Sequence, residues 1–211
     1  MTIAPSDLES LMTTARDLSI VAADPETNPA VEQGDLSLAL AGAELIDLID
    51  SRAVTLDGDR LVPGASPRTD DPLLREAESL LVRRAPHETV VDWLWRRGRD
   101  LAARYRAALE AEGLVAPARP HRNPFSRSRP APVDSPDLRR AADRWTAREP
   151  VLTGLAAAAG ITDQQEAALT GLTDEQGAVL GGVYDAVTQL AAVRQRRSIE
   201  KAAFDNIWRG Q

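Results

Sequence analysis

The segment "LSLALAGAELIDLIDS", residues 36–51, constrains this chain more than any other. Its apolar positions recur with a helical period, with Leu38, Leu45, Leu48 and Ile49 on one side. Ala41, Gly42 and Ala43 leave space for a neighbouring helix to approach closely. Such a helix is unstable in isolation and needs other helices around it. The rest of the sequence supplies them.

"SDLESLMTTARDL" opens on Ser6 with Glu9 three residues on, a capping box, and runs through Leu8, Leu11, Met12, Ala15 and Leu18. Asp71-Pro72 starts "LLREAESLLVRR" with proline in the first turn. "PHETVVDWLWRRG" predicts a short helix with Trp93 and Trp95. "RDLAARYRAALEAEG" predicts another, with Leu101, Tyr105, Ala108 and Leu109 inward and Gly113 as its stop. "SPDLRRAADRWTAREP" places Leu138, Ala141, Ala142 and Trp145 inward. "VLTGLAAAAG" and "TDQQEAALTG" are short and glycine-punctuated. A second capping box, Thr173 to Gln176, opens a long helix burying Val179, Leu180, Val183, Val187 and Leu190; "SIEKAAFDNIWRG" follows as a final helix or frayed tail. The strand signal falls near 54–62, where Asp57-Gly58 separates two short apolar runs. The expectation is a single all-α domain over 1–211, with one hairpin near 54–62 and a Pro/Arg-rich arm near 117–136.

Charge is segregated. The chain carries a net charge of -7, yet residues 1–82 hold 5 basic and 16 acidic side chains, whereas residues 83–148 hold 15 arginines and 8 acids. A basic centre between acidic flanks is either paired internally or directed at an anionic partner. The arm contains "RPHRNPFSRSRP", in which Arg119, Arg122, Arg127 and Arg129 surround Phe125. Its prolines disfavour a regular ladder, and its composition suits either a loop on the surface or an extended segment meeting a membrane or a second copy of the chain.

Enzyme chemistry finds little support. There is no cysteine, one lysine (Lys201) and two histidines, His87 and His121, without metal-ligand spacing. Lys201 does not follow a glycine-rich phosphate loop, and no glycine-rich nucleotide fingerprint follows a strand, so no cofactor is expected. "SIEK" matches a Ser-x-x-Lys pattern by chance, since its partner motifs are missing. Asp47 and Asp50, one turn apart, could share a cation, but an exposed acidic face is the plainer reading. A helix followed by a hairpin could end a winged helix. Glu44, Asp47, Asp50 and two aspartates at the hairpin tip would then face phosphates, so no nucleic-acid partner is expected. No apolar run reaches membrane-spanning length, and no secretory leader is recognisable, which predicts a cytoplasmic protein.

"LAGAELIDLIDSRAVTLDGDRLV" resembles the segment of the Golgi phosphoprotein three family in which a Gly-small-x-Leu-x-Glu/Asp-Leu helix leads into a hairpin. "DDPLLREAESLL", "ETVVDWLWRRG" and "RDLAARYRAALEAEGLV" resemble the family's next three helices in order and spacing, and the likeness extends over about residues 6–200. The resemblance implies a mainly helical, non-catalytic adaptor that sits peripherally at the cytoplasmic face of a membrane and binds phosphatidylinositol 4-phosphate. The family's headgroup pocket uses one Trp, one Arg of the small-residue helix and two Arg spaced by three. In this chain these fall near Glu32, on Ala41, and on Arg99 and Ala102, with Arg97, Arg104 and Arg106 close by. The expected headgroup set is therefore Arg99, Arg97, Arg104 and Arg106. The expected membrane-contact set is Arg119, Arg122, Phe125, Arg127 and Arg129, in an arm that the family places at a membrane-facing or self-association surface. A scaffold that binds a protein partner and has lost the lipid is the alternative.

Overall fold

The computed structural model describes residues 13–24, 31–65, 69–116, 135–163 and 171–209, with the side chains of 202, 203 and 205–209 excepted. The Ser6–Glu9 capping box and the whole of 117–134 lie outside these residues, including Arg119, Arg122, Phe125, Arg127 and Arg129.

Eight helices and one hairpin occupy the described residues: α1 (Thr14–Ala23), α2 (Gln33–Asp50), β1 (Val54–Asp57), β2 (Arg60–Pro63), α3 (Pro72–Ser79), α4 (Val90–Arg97), α5 (Leu101–Ala111), α6 (Pro136–Thr146), α7 (Pro150–Ala158) and α8 (Asp174–Arg209). The protein is thus mainly helical with a small antiparallel hairpin. Helix α2 is its axis. Leu38, Ala39, Leu40, Ala41, Ala43, Leu45, Ile46 and Leu48 are all buried, and α1, α4, α5, α7 and α8 pack around it. A helix buried on every side must be apolar on every side, as this one nearly is. The small residues do what their size suggests. A Cβ added to Gly42 would lie 2.4 Å from a methyl of Val183 on α8 and 3.4 Å from Leu155 on α7. Any larger residue there forces the three helices apart.

Local signals set the boundaries. Asp71 caps α3 by accepting from the N–H groups of Leu73 and Leu74, ahead of Pro72. That helix stops at Ser79, short of the run read from the sequence. Thr89 and Asp92 form a reciprocal capping box at the start of α4, and Thr173 and Gln176 form the one expected at α8. Gly113, at φ 74°, ends α5 as expected. In the hairpin, Asp57 pairs with Arg60 across Gly58-Asp59, and Gly58 takes φ 63°. On α6, Ala141 is buried and Leu138 and Trp145 half-buried, but Ala142 faces solvent, because only one narrow stripe of that helix meets α1.

Helix α8 continues unbroken to Arg209, so the C-terminal stretch is helix and not a separate tail. Its first half buries Val179, Leu180, Val183 and Ala186. Beyond Leu190 the described side chains are exposed apart from Arg194, which reaches back to Asp35 on α2 at 2.9 Å.

Candidate functional site

The four arginines expected to gather around a headgroup lie at the end of α4 and along α5, and the structure gives them different environments. Arg97, on the last turn of α4, is 4% exposed. Its Nε and one Nη grip the Glu44 carboxylate of α2 at 2.7 and 2.8 Å. The remaining donors reach Glu76 at 3.0 Å and the Leu73 carbonyl at 3.1 Å, both on α3. Four of its N–H groups are thereby engaged, so Arg97 is a structural residue of the core rather than a free headgroup donor. Tyr105 completes the cluster by donating to Glu44 at 3.0 Å. Burial pushes the Glu44 carboxyl above its usual range, while Arg97 and Tyr105 pull it back; burial, with Glu44 beside it, holds the Tyr105 hydroxyl well above its usual range.

Arg104 is partly exposed but bound to Glu76, whose carboxyl it holds below the usual range through their hydrogen bonds. Arg106 pairs with Glu110 one turn on, at 2.8 Å, and the two line an open hollow with Gln33, Ala103 and Ala107. Arg99 differs. It lies in the turn between α4 and α5, exposed, and contacts no acceptor among the described residues. Next to it, Asp100 takes a left-handed φ of 55°, which turns the chain from α4 into α5.

The other positions that the sequence resemblance sets against headgroup donors carry no cation. Ala41 is fully buried and its carbonyl accepts the Trp93 indole N–H at 3.0 Å. Ala102 is also buried, and its N–H donates to Ser37 Oγ at 3.1 Å. Glu32 stands exposed just before α2.

Among the described residues, the basic centre of the chain is largely paired within the fold. Arg96 meets Glu88 while lying 5.2 Å over the Trp93 ring, and Arg140 and Arg144 converge on the buried Asp17. Acids of the same stretch, Glu112 and Asp137, take up Arg16 from α1. Asp47 corrects an expectation: it neither shares a cation with Asp50 nor belongs to an acidic face. Its carboxylate accepts from the backbone N–H groups of Thr14 and Ala15 at 2.9 and 3.2 Å and so caps α1 from a distance. Burial pushes its carboxyl up to about 7 against those stabilising hydrogen bonds. Asp50 instead takes the side-chain amide of Gln176.

None of these interactions could be read in detail from the sequence, but one carried a signal. Glu44 is an acid inside an otherwise apolar helical segment, and such a residue must find a partner when buried.

No helix among the described residues is long and apolar enough to cross a membrane. No curated protein matches the chain. The model of the family described as Golgi phosphoprotein 3 (GPP34) matches residues 15–203, which takes in every helix just described except the first residue of α1 and the last turns of α8. With nearly its whole length matched, the chain belongs to the Golgi phosphoprotein 3 family, a family of non-enzymatic adaptors.

Proposed function

We propose that this protein is a non-catalytic, peripheral membrane adaptor that meets anionic lipid headgroups at Arg99, assisted by the arginines and Phe125 of the 119–129 segment. The observation that carries the reading is the contrast between Arg99 and the arginines around it. Arg97, Arg104 and Arg106 are each held by a carboxylate of the fold, whereas Arg99 is exposed, meets no acceptor among the described residues and stands where the family resemblance sets a headgroup donor. An exposed guanidinium that spends none of its donors inside the protein is available to a phosphate. With Ala41 and Ala102 in place of further cations, this contact is electrostatic and weakly selective rather than a closed phosphoinositide pocket.

Co-sedimentation with vesicles tests it. Binding to vesicles containing phosphatidylserine or phosphatidylinositol 4-phosphate should exceed binding to pure phosphatidylcholine and fall steeply as salt rises. Arg99→Ala should weaken it several-fold, and Arg52→Ala, which removes another exposed arginine beyond the far end of α2, should not. Equal losses from the two variants would sink the assignment of Arg99.

The second reading is an adaptor that engages a protein and not a lipid. It is favoured by the buried alanines at the headgroup positions and by the outer half of α8, where Val193, Ile199 and Phe204 are exposed at 42%, 61% and 61%. Absence of binding to every vesicle at low salt would select it.

A further inference from the structure

A second cleft lies where α6 turns into α7. It encloses about 310 Å³ and is lined by Trp145, Thr146, Arg148, Thr153 and Thr162. That volume is at the small end of ligand sites and suits one compact group. Three features of its lining belong together.

The first is an unpaired cation. Arg148 is exposed and its guanidinium meets no acceptor among the described residues, although Arg140 and Arg144 on the adjoining helix are both ion-paired. The carboxylate next to it in sequence is committed elsewhere. Glu149 accepts from the N–H groups of Val151 and Leu152 at 3.2 and 2.9 Å and from Arg144 at 2.9 Å.

The second is an unpaired hydroxyl. Thr153 is 3% exposed, and its Oγ1 has no hydrogen-bond partner among the described residues. A helical threonine ordinarily returns its hydroxyl to the carbonyl one turn back, and a buried hydroxyl left without a partner is costly.

The third is backbone geometry. Helix α6 ends in a Schellman motif, with Glu149 N–H donating to the Arg144 carbonyl and Arg148 N–H to that of Trp145, each at 3.1 Å. The motif puts Arg148 at φ 53°, a position that glycine fills after α5 and α7. Arg52 ends α2 in the same way, so the geometry alone does not mark a site. What distinguishes Arg148 is the cleft beside it and the buried hydroxyl in that cleft's wall.

The geometry points to a phosphate-type oxyanion site: the cleft at Trp145, Thr146, Arg148, Thr153 and Thr162 receives the phosphate of a small ester, separately from any headgroup at Arg99. A tetrahedral oxyanion can accept from the Arg148 guanidinium on one side and from the hydroxyls of Thr146 on α6 and Thr153 on α7 on the others. The Trp145 ring provides a flat wall for whatever carries the phosphate. The phosphate can come from a free ester or from a lipid headgroup, and the chemistry at the protein is the same.

Two-dimensional amide and methyl NMR spectra of the full chain, titrated with inorganic phosphate and with glycerol 3-phosphate against chloride at equal ionic strength, test the proposal. Saturable shifts confined to Trp145, Thr146, Arg148, Thr153 and Thr162 are expected, and they should survive Arg99→Ala. Two variants separate binding from folding. Arg148→Asn suits the left-handed backbone, and Thr153→Val removes a hydroxyl that has no partner, so both should keep or raise the melting temperature while weakening the response at least tenfold. Shifts that do not saturate, that spread over arginines elsewhere, or that persist unchanged in both variants would overturn it. Vesicles of phosphatidic acid in phosphatidylcholine identify the source. Arg148-dependent binding to them, uncompeted by glycerol 3-phosphate, assigns a lipid headgroup, and competition assigns a free ester.

Discussion

At the seam of α4 and α5, Arg97 gives four N–H groups to acceptors of the protein; at the corner of α6 and α7, the Arg148 side chain gives none within the described residues. Both belong to the same basic stretch of sequence. What separates them is the element packed opposite. Arg97 faces α2 and α3, which bring Glu44 and Glu76 to it, and Arg148 borders a cleft whose described lining is hydroxyls and an indole, with no carboxylate among those residues. An arginine-rich segment therefore says little about what can be bound until the carboxylates of its neighbours have been assigned. Arg99, two residues beyond Arg97 but in a turn, falls on the available side of that division.

The contrast can be broken most severely at Glu44. Glu44→Ala leaves the Arg97 guanidinium charged and buried, and should cost about 3–5 kcal/mol in denaturant unfolding. The double variant Glu44→Leu with Arg97→Met should recover most of that loss, since an apolar pair of similar volume replaces the ions. A single-variant cost below about 1 kcal/mol would mean that the pair is not structural.

Asp47 should give a smaller effect, visible through pH. Its folded pKa of about 7 stands above the ordinary value of 3.8, so the folded state holds the proton more tightly than the unfolded chain does. The stability this contributes is fully present below about pH 4 and is lost as pH rises through 7. Asp47→Asn keeps an acceptor for the Thr14 and Ala15 N–H groups and removes the titration. The variant should gain about 1 kcal/mol over the parent at pH 8, and should show a flatter pH profile between 4 and 7. A variant that is less stable at pH 8 would show that the ionised carboxylate is the better cap.

Smallest of all is the effect of Arg99→Ala on stability, within about 0.5 kcal/mol by thermal unfolding, because no acceptor among the described residues loses a donor. A larger loss would place Arg99 with Arg97 on the structural side.

Much of the fold was legible because its signals are local. Asp71-Pro72, Gly113, Asp57-Gly58 and the Thr173–Gln176 pair each act within one turn of the chain, and Gly42 marks a helix crossing by its size alone. The Thr89–Asp92 box is equally local, in a helix whose two tryptophans are its more conspicuous feature. The candidate sites were much less legible. Whether Arg97 or Arg99 is free depends on which face of α2 and α3 lies opposite, and Asp47 caps a helix more than 20 residues away in sequence. Arg148 was hidden for a different reason. A left-handed helix end is usually announced by glycine, and here arginine occupies it.

The division of α8 into a packed half and an outer half has a consequence for how that helix forms. An isolated segment as polar as the one after Leu190 would have to fix its first turn unaided, which is the unfavourable step in making any helix. Here the turns around Val179 and Val183 are already fixed by the core, so the outer residues only propagate an existing helix, one hydrogen bond per residue. Their order is borrowed from the core. Amide exchange should therefore quicken progressively toward Arg209, with the outer turns opening while the inner ones stay closed.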